Sequence, residues 1–150
     1  MYMYIIDAMK LQPLPCYCAT LRQAARAVTA LYEGVLADSG LHATQYTALQ
    51  VLKRASNLTT TELADVIGID QTTATRTLAL IKKIGLVNDA PGSDRRERRW
   101  SLTSAGETTL RKLNPAWEAA QETFEKRIGR AAAAALKKAS YLAASKLTTT

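Results

Sequence analysis

Five side chains near the middle of the chain carry most of its chemistry. Gln71, Thr72, Thr73, Thr75 and Arg76 are hydrogen-bonding groups with one guanidinium, and Asp70 before them is the only nearby acid. A DNA major groove asks for such a set: Gln for adenine edges, Arg for guanine, Thr for phosphates and the thymine methyl. As a merely solvated helix face the set is poorly chosen, because Thr is a weak helix former. Farther on, Arg95, Arg96, Arg98 and Arg99 fill four of five positions behind the run Pro91-Gly92-Ser93-Asp94. On a hairpin tip, guanidiniums can follow phosphates or enter a narrow minor groove. For Arg98 and Arg99, solvated charge alternating around a strand is an equally good reading.

The elements that must position these groups are legible on either side. Thr59 with Glu62 three residues on, ahead of Leu63, Val66 and Ile67, is a capping box opening a short helix. Gly68 stops that helix, and Asp70 offers the N-cap of a second one. Ala74, Leu78, Ile81 and Ile84 recur at three- and four-residue steps and predict its buried face, with Gly85 ending it. Helix, short glycine turn, helix is the pattern of a helix-turn-helix. Leu86-Val87-Asn88 and Arg98–Leu102 then flank a Pro/Gly/Ser/Asp cluster, which predicts a β-hairpin with a long tip.

These residues together resemble the MarR family of winged-helix transcription regulators. The resemblance runs from about Cys18 to the C-terminus. Its most specific part is Asp94-Arg95-Arg96 closed by Leu102-Thr103 and Gly106. It implies an obligate homodimer, a wing whose Arg96 enters the minor groove, and Asp94 holding that arginine. Ala79 and Leu80 stand where the family usually has charged residues, so those backbone contacts do not carry over. The DNA-binding candidates are therefore Thr59, Gln71, Thr72, Thr73, Thr75, Arg76, Asp94, Arg95, Arg96 and Arg98.

Composition agrees with this class. One hundred and fifty residues suit one domain, and a formal net charge of +7 suits a polyanion binder, although a membrane surface or a ribosomal partner would ask for the same. The first ten residues lack the pattern of a signal peptide and no stretch reaches the ~18 apolar residues of a membrane span, so a cytoplasmic location is expected. Catalysis has little to stand on. His42 is the single histidine, and there is no Gly-rich phosphate loop, His-Glu-x-x-His or Cys-x-x-Cys. No cofactor is expected, and an enzyme is the last of the candidate classes.

Cys16-Tyr17-Cys18 has two readings: buried apolar fillers, or a sensor. From Cys18 to Tyr32 the chain is similar to the organic-hydroperoxide-sensing branch of the MarR family. That similarity implies an oxidisable Cys18 hydrogen-bonded by Tyr32. The branch's other tyrosine falls at position 43, where this chain has Ala43, and a thiolate held by one phenol should react more slowly. Alternatively, Cys16 in an extended segment beside Cys18 would suit arsenite or another soft metal or metalloid. A third possibility needs no thiol. The family resemblance implies a lipophilic or phenolic ligand, with Tyr32, His42 and Tyr46 as candidate contacts, although His42 also reads as a plain turn residue.

Around this centre the sequence predicts a loose arm over residues 1–17 and a long helix over 18–38, with Leu21, Ala25, Val28, Leu31, Tyr32 and Val35 on one face. A helix capped by Thr44 follows. After the hairpin, Thr103 caps a helix kinked at Pro115, Gly129 breaks the line, and a last helix carries Leu136, Tyr141, Leu142 and Leu147. The expected fold is mainly α with a small β-wing. It is a single MarR-like domain over residues 1–150, with the winged-helix DNA-binding part at about 44–102 and dimerisation helices at about 1–38 and 103–150. The function expected is a homodimeric repressor, binding a pseudo-palindromic operator in double-stranded DNA and released by a small-molecule, thiol-reactive or metalloid inducer. The rivals are a non-specific architectural or RNA-binding basic protein, and a winged helix used only for protein contacts.

Overall fold

The computed structural model describes residues 14–148, so most of the arm expected over 1–17 lies outside the described residues. The chain is mainly helical with one small sheet. Helix α1 (Tyr17–Leu36) passes through a 3₁₀ turn at Ala37–Ser39 into α2 (Ala43–Arg54). Strand β1 (Leu58–Thr59), α3 (Thr60–Ile67), α4 (Gln71–Lys83), β2 (Val87–Pro91) and β3 (Arg98–Leu102) make the winged helix. Helices α5 (Ser104–Ile128) and α6 (Arg130–Thr148) close the chain. The sheet is antiparallel in the order β1-β3-β2, with Leu58 opposite Trp100 and Asp89 opposite Trp100 on the other side.

The local signals explain the winged helix closely. Thr59 Oγ1 accepts from the Glu62 N–H at 3.1 Å while Glu62 Oε2 accepts from the Thr59 N–H at 2.7 Å, and Gly68 at φ 78° ends α3. Asp70 caps α4 through the Thr73 N–H at 2.8 Å. Beyond α4 the Gly85 N–H reaches the Lys82 carbonyl and the Leu86 N–H that of Ile81, a Schellman closure that needs the positive φ of Gly85. That closure corrects one expectation. Ile84 becomes the helix cap and is 58% exposed, while Leu86, one step past the reversal, takes the core position. Val66 is likewise turned to solvent.

The core sits between α2, α3, α4 and the sheet: Leu49, Leu52, Leu63, Leu78, Ile81, Val87 and Trp100 pack as one cluster. Trp100 donates from Nε1 to Thr60 Oγ1 at 3.0 Å, so its polar edge is satisfied inside. Gly106 explains the end of the Leu-Thr-x-x-Gly run, because a Cβ there would strike the Leu86 carbonyl and the Leu102 side chain. Thr103 caps α5 by accepting from the Gly106 N–H, and its own hydroxyl donates to the Gly85 carbonyl at 2.7 Å.

Two expectations outside this region change. α2 starts at Ala43, with His42 rather than Thr44 as cap residue: Gln45 Oε1 accepts from the His42 N–H, and Glu33 Oε1, from α1, accepts from the Ala43 N–H at 2.8 Å. α5 keeps its expected span to Ile128, with Pro115 inside the helix. The predicted inner face of α1 is only partly covered, since Leu21 is 47% exposed and Leu36 is the one fully buried residue of that helix.

Candidate nucleic-acid interface

α4 presents Gln71, Thr72, Thr75, Arg76 and Ala79 around one shallow hollow, the residues that a helical period places on a single face. All five are exposed. Within it the hydroxyls are not equally free. Thr75 Oγ1 donates to the Gln71 carbonyl at 2.9 Å, and Thr61 Oγ1 donates to Gln71 Oε1 at 3.2 Å, which turns the amide nitrogen of Gln71 outward as a donor. Thr73 stands apart: it is half-buried and its hydroxyl donates to Asp70 Oδ2 at 2.6 Å. Thr59 is also absorbed by its cap. These bonds to Thr73 and Thr59 hold the Asp70 and Glu62 carboxyls below the ordinary range, and the nearby Arg99 adds to the effect on Glu62.

The wing separates its arginines into two sets. Arg99 is tied down: Nη1 donates to the Asn57 carbonyl at 2.9 Å, and Nε lies 2.9 Å from Glu97 Oε1. Arg98 Nε lies 3.3 Å from Asp89 Oδ2, and Lys82 Nζ of α4 lies 2.6 Å from Asp89 Oδ1. The hydrogen bond from Lys82, aided by both cationic charges, holds the Asp89 carboxyl below its usual range. Arg95 and Arg96, by contrast, are exposed at the tip, and among the described residues neither they nor Arg76 pair with a carboxylate. Asp94 does hold Arg96, but through its backbone: Oδ1 accepts from the Arg96 N–H at 3.1 Å and leaves the guanidinium free. The bonds Gly92 N–H to Glu97 carbonyl and Glu97 N–H to Asp94 carbonyl complete the tip.

The effector candidates divide as well. Tyr32 and Tyr46 flank Trp117 of α5, with ring centroids 6.4 and 6.5 Å away, around a cavity of about 240 Å³ that Val28, Leu36 and Ala43 also line. The Tyr32 hydroxyl donates to Gln121 Oε1 at 2.5 Å. Burial raises both phenols, with the Glu125 charge adding to Tyr32 and Glu118 to Tyr46. His42 stays outside, with Nδ1 3.1 Å from Glu33 Oε2. Cys16 is extended at the N-cap of α1, and both thiols are exposed rather than buried fillers. Cys18 Sγ accepts from Arg22 Nη2 at 3.3 Å. Along one helix Cys18 and Tyr32 lie about 21 Å apart, so within a protomer that phenol serves Gln121 and not the thiol. Among the described residues no group of three His, Cys, Asp or Glu side chains is placed to hold a metal ion, and no helix is long and apolar enough to cross a membrane.

Residues the sequence did not single out include Glu33, Lys82, Asp89, Trp117 and Gln121. Each acts through a partner on a different element, and no local pattern marks it.

The comparisons with known proteins agree with this geometry. A model of the MarR family matches residues 39–97. The crystal structure of the Mycobacterium tuberculosis transcriptional regulator MosR in complex with DNA is 35% identical, covering 85% of this chain and 98% of that one, with a TM-score of 0.69. The uncharacterized HTH-type transcriptional regulator YwoH of Bacillus subtilis strain 168 is 27% identical over 94 residues, 63% of this chain and 69% of that protein. The fold is also that of a mutant of Escherichia coli MarR complexed with operator DNA, at 20% identity and a TM-score of 0.73, over 83% of this chain and 91% of that one. The chain belongs to the MarR family of winged-helix DNA-binding transcriptional regulators. It is a regulator and not an enzyme.

Proposed function

We propose that the chain is a cytoplasmic homodimeric repressor that binds a pseudo-palindromic operator and leaves it when an inducer arrives. The observation that carries the DNA contact is the division among the arginines. Arg76 on α4 and Arg95 and Arg96 at the wing tip have no carboxylate partner among the described residues, while Arg98 and Arg99 are committed to the protein. In this reading Gln71, Thr72, Thr75 and Arg76 face a major groove, with the two recognition helices about 34 Å apart, and Arg95 and Arg96 reach the flanking minor groove. Repression follows from occupancy, since a dimer seated over promoter elements excludes polymerase without further contacts.

Homodimerisation is supported by the uncovered faces of the terminal helices. α1, α5 and α6 enclose an open groove of about 1370 Å³ lined by Leu21, Val28, Leu136 and Leu147. Two inducer chemistries have support. The exposed Cys16 and Cys18 suit a hydroperoxide or a metalloid, and the Tyr32–Trp117–Tyr46 cavity suits a flat apolar ligand with a polar edge.

A gel shift on DNA upstream of the gene tests the proposal. Arg96→Ala is expected to weaken binding to every sequence and to flatten the salt slope by about one unit per protomer, whereas Arg76→Ala costs about 1–3 kcal/mol on the operator alone. A protein that footprints no single inverted repeat in excess competitor DNA is the architectural rival. Repeating the shift with peroxide, arsenite and a phenolic acid, on the native chain and on Cys16→Ser and Cys18→Ser, separates the inducers.

A further inference from the structure

We infer that Asp89 is a positioning residue that sets the angle between the recognition helix and the wing. Beyond Arg99 the hairpin loses its third strand, because β1 pairs only through Leu58, opposite Trp100, and Thr59, opposite Arg99. What projects from there, beginning at Pro91 opposite Arg98, is a two-stranded ribbon, which has little stiffness of its own. Asp89 lies at the root of that ribbon, two residues before it in the three-stranded part, opposite Trp100, which β1 backs on its other side.

Its carboxylate makes two ties in different directions. Oδ1 meets Lys82 Nζ at 2.6 Å, which fastens β2 to the last turn of α4, and Oδ2 meets Arg98 Nε at 3.3 Å, a diagonal cross-strand pair on the same face of the ribbon. The side chain of Asp89 is only 10% exposed, whereas those of Lys82 and Arg98 are 51% and 56% exposed. The acid is thus the shared, enclosed centre and the cations are its outer arms. One group joins the helix that would read bases to the hairpin that would carry Arg95 and Arg96. A small rotation at this root is multiplied at the tip.

The inference rests on the DNA-binding reading above, so its test has one arm without DNA. In the free protein, Asp89→Asn keeps the side-chain size and removes the charge; Lys82→Met cuts only the tie to α4 and alters an exposed residue outside the core. Both variants are expected to speed amide exchange at Gly92, whose N–H closes the ribbon tip on the Glu97 carbonyl at 2.8 Å, while the amides of α3 and α4 keep their protection. On the operator, both are expected to lose hydroxyl-radical protection of the flanking minor grooves, keep major-groove protection and bind about tenfold more weakly. The double variant should be no worse than Asp89→Asn alone, which already lacks the tie to Lys82.

Tighter binding with a steeper salt slope in Asp89→Asn would mean that the acid merely neutralises two phosphate-seeking cations, and it would overturn the inference. Unchanged exchange at Gly92 in both variants would also overturn it. Faster exchange in both, with a native chain that footprints no operator, upholds the positioning role and removes the DNA reading instead. Native operator binding with an unchanged variant footprint does the reverse.

Discussion

The winged helix and the terminal helices spend their apolar side chains in opposite ways. Between α2 and β3, Leu49, Leu63, Leu78, Ile81 and Val87 are sealed against one another, and the one tryptophan there has its N–H satisfied. In α1 and α6, Leu21, Leu136, Tyr141, Leu142 and Leu147 are open to solvent, and Ala133 is the only buried residue of α6. A patch of that extent on a lone chain is unusual and marks a surface meant to be covered. One region closes its core within a single chain; the other leaves its apolar face open, as the proposed dimer requires. The first can therefore be understood from one copy of the chain, and the second, on the proposed function, from two.

The largest expected effect breaks the open half. Leu136→Glu puts a charge into the groove between α1, α5 and α6, and should convert the proposed dimer into monomers in sedimentation while leaving the amide spectrum of residues 58–102 intact. Operator affinity should fall by a factor on the order of 10²–10⁴, the loss that follows when two linked half-site contacts become one. A monomer already in the native protein would remove the contrast. Next comes the closed half. Leu78→Ala, at a fully buried position, should cost about 2–5 kcal/mol in chemical unfolding with no change in the subunit count of whatever remains folded.

Acid gives the smallest and most selective effect. Thr59, Thr73, Lys82 and Lys53 hold the Glu62, Asp70, Asp89 and Glu107 carboxyls below their unfolded values, mainly by hydrogen bonding. Their stabilisation is complete above the unfolded carboxylate range, about pH 4, and fades as pH falls through the lower folded values. Three of the four lie in the winged helix. Melting followed at pH 7 and pH 3 should therefore lose more from that region than from α6, and an equal loss in both would blur the distinction between the two halves.

The same contrast explains what could be read in advance. Thr59, Glu62, Gly68, Asp70, Gly85 and Thr103 act within a few residues of themselves, so the chain announces their roles. Ile84 leaves its expected place because helical spacing continues past the residue at which the Gly85 reversal takes over. The β1 strand is two residues long and exists only by pairing with β3. The Lys82–Asp89–Arg98 junction and the Glu33 bond to the start of α2 depend on how separate elements come together, which spacing does not encode. His42, expected either at a ligand or in a turn, is in the turn, while Trp117 stands between the two tyrosines.

The indoles give each half its own reporter. The sequence has two tryptophans, and Trp100 sits at the hairpin root while Trp117 sits beside the tyrosine cavity. Their surroundings differ, one sealed and hydrogen-bonded to Thr60, the other half-buried between phenols, so their emission should respond to different events. With Trp117→Phe, fluorescence follows the hairpin root alone; with Trp100→Phe, it follows the cavity. The chain thus carries an intrinsic optical means of timing which of its halves moves first.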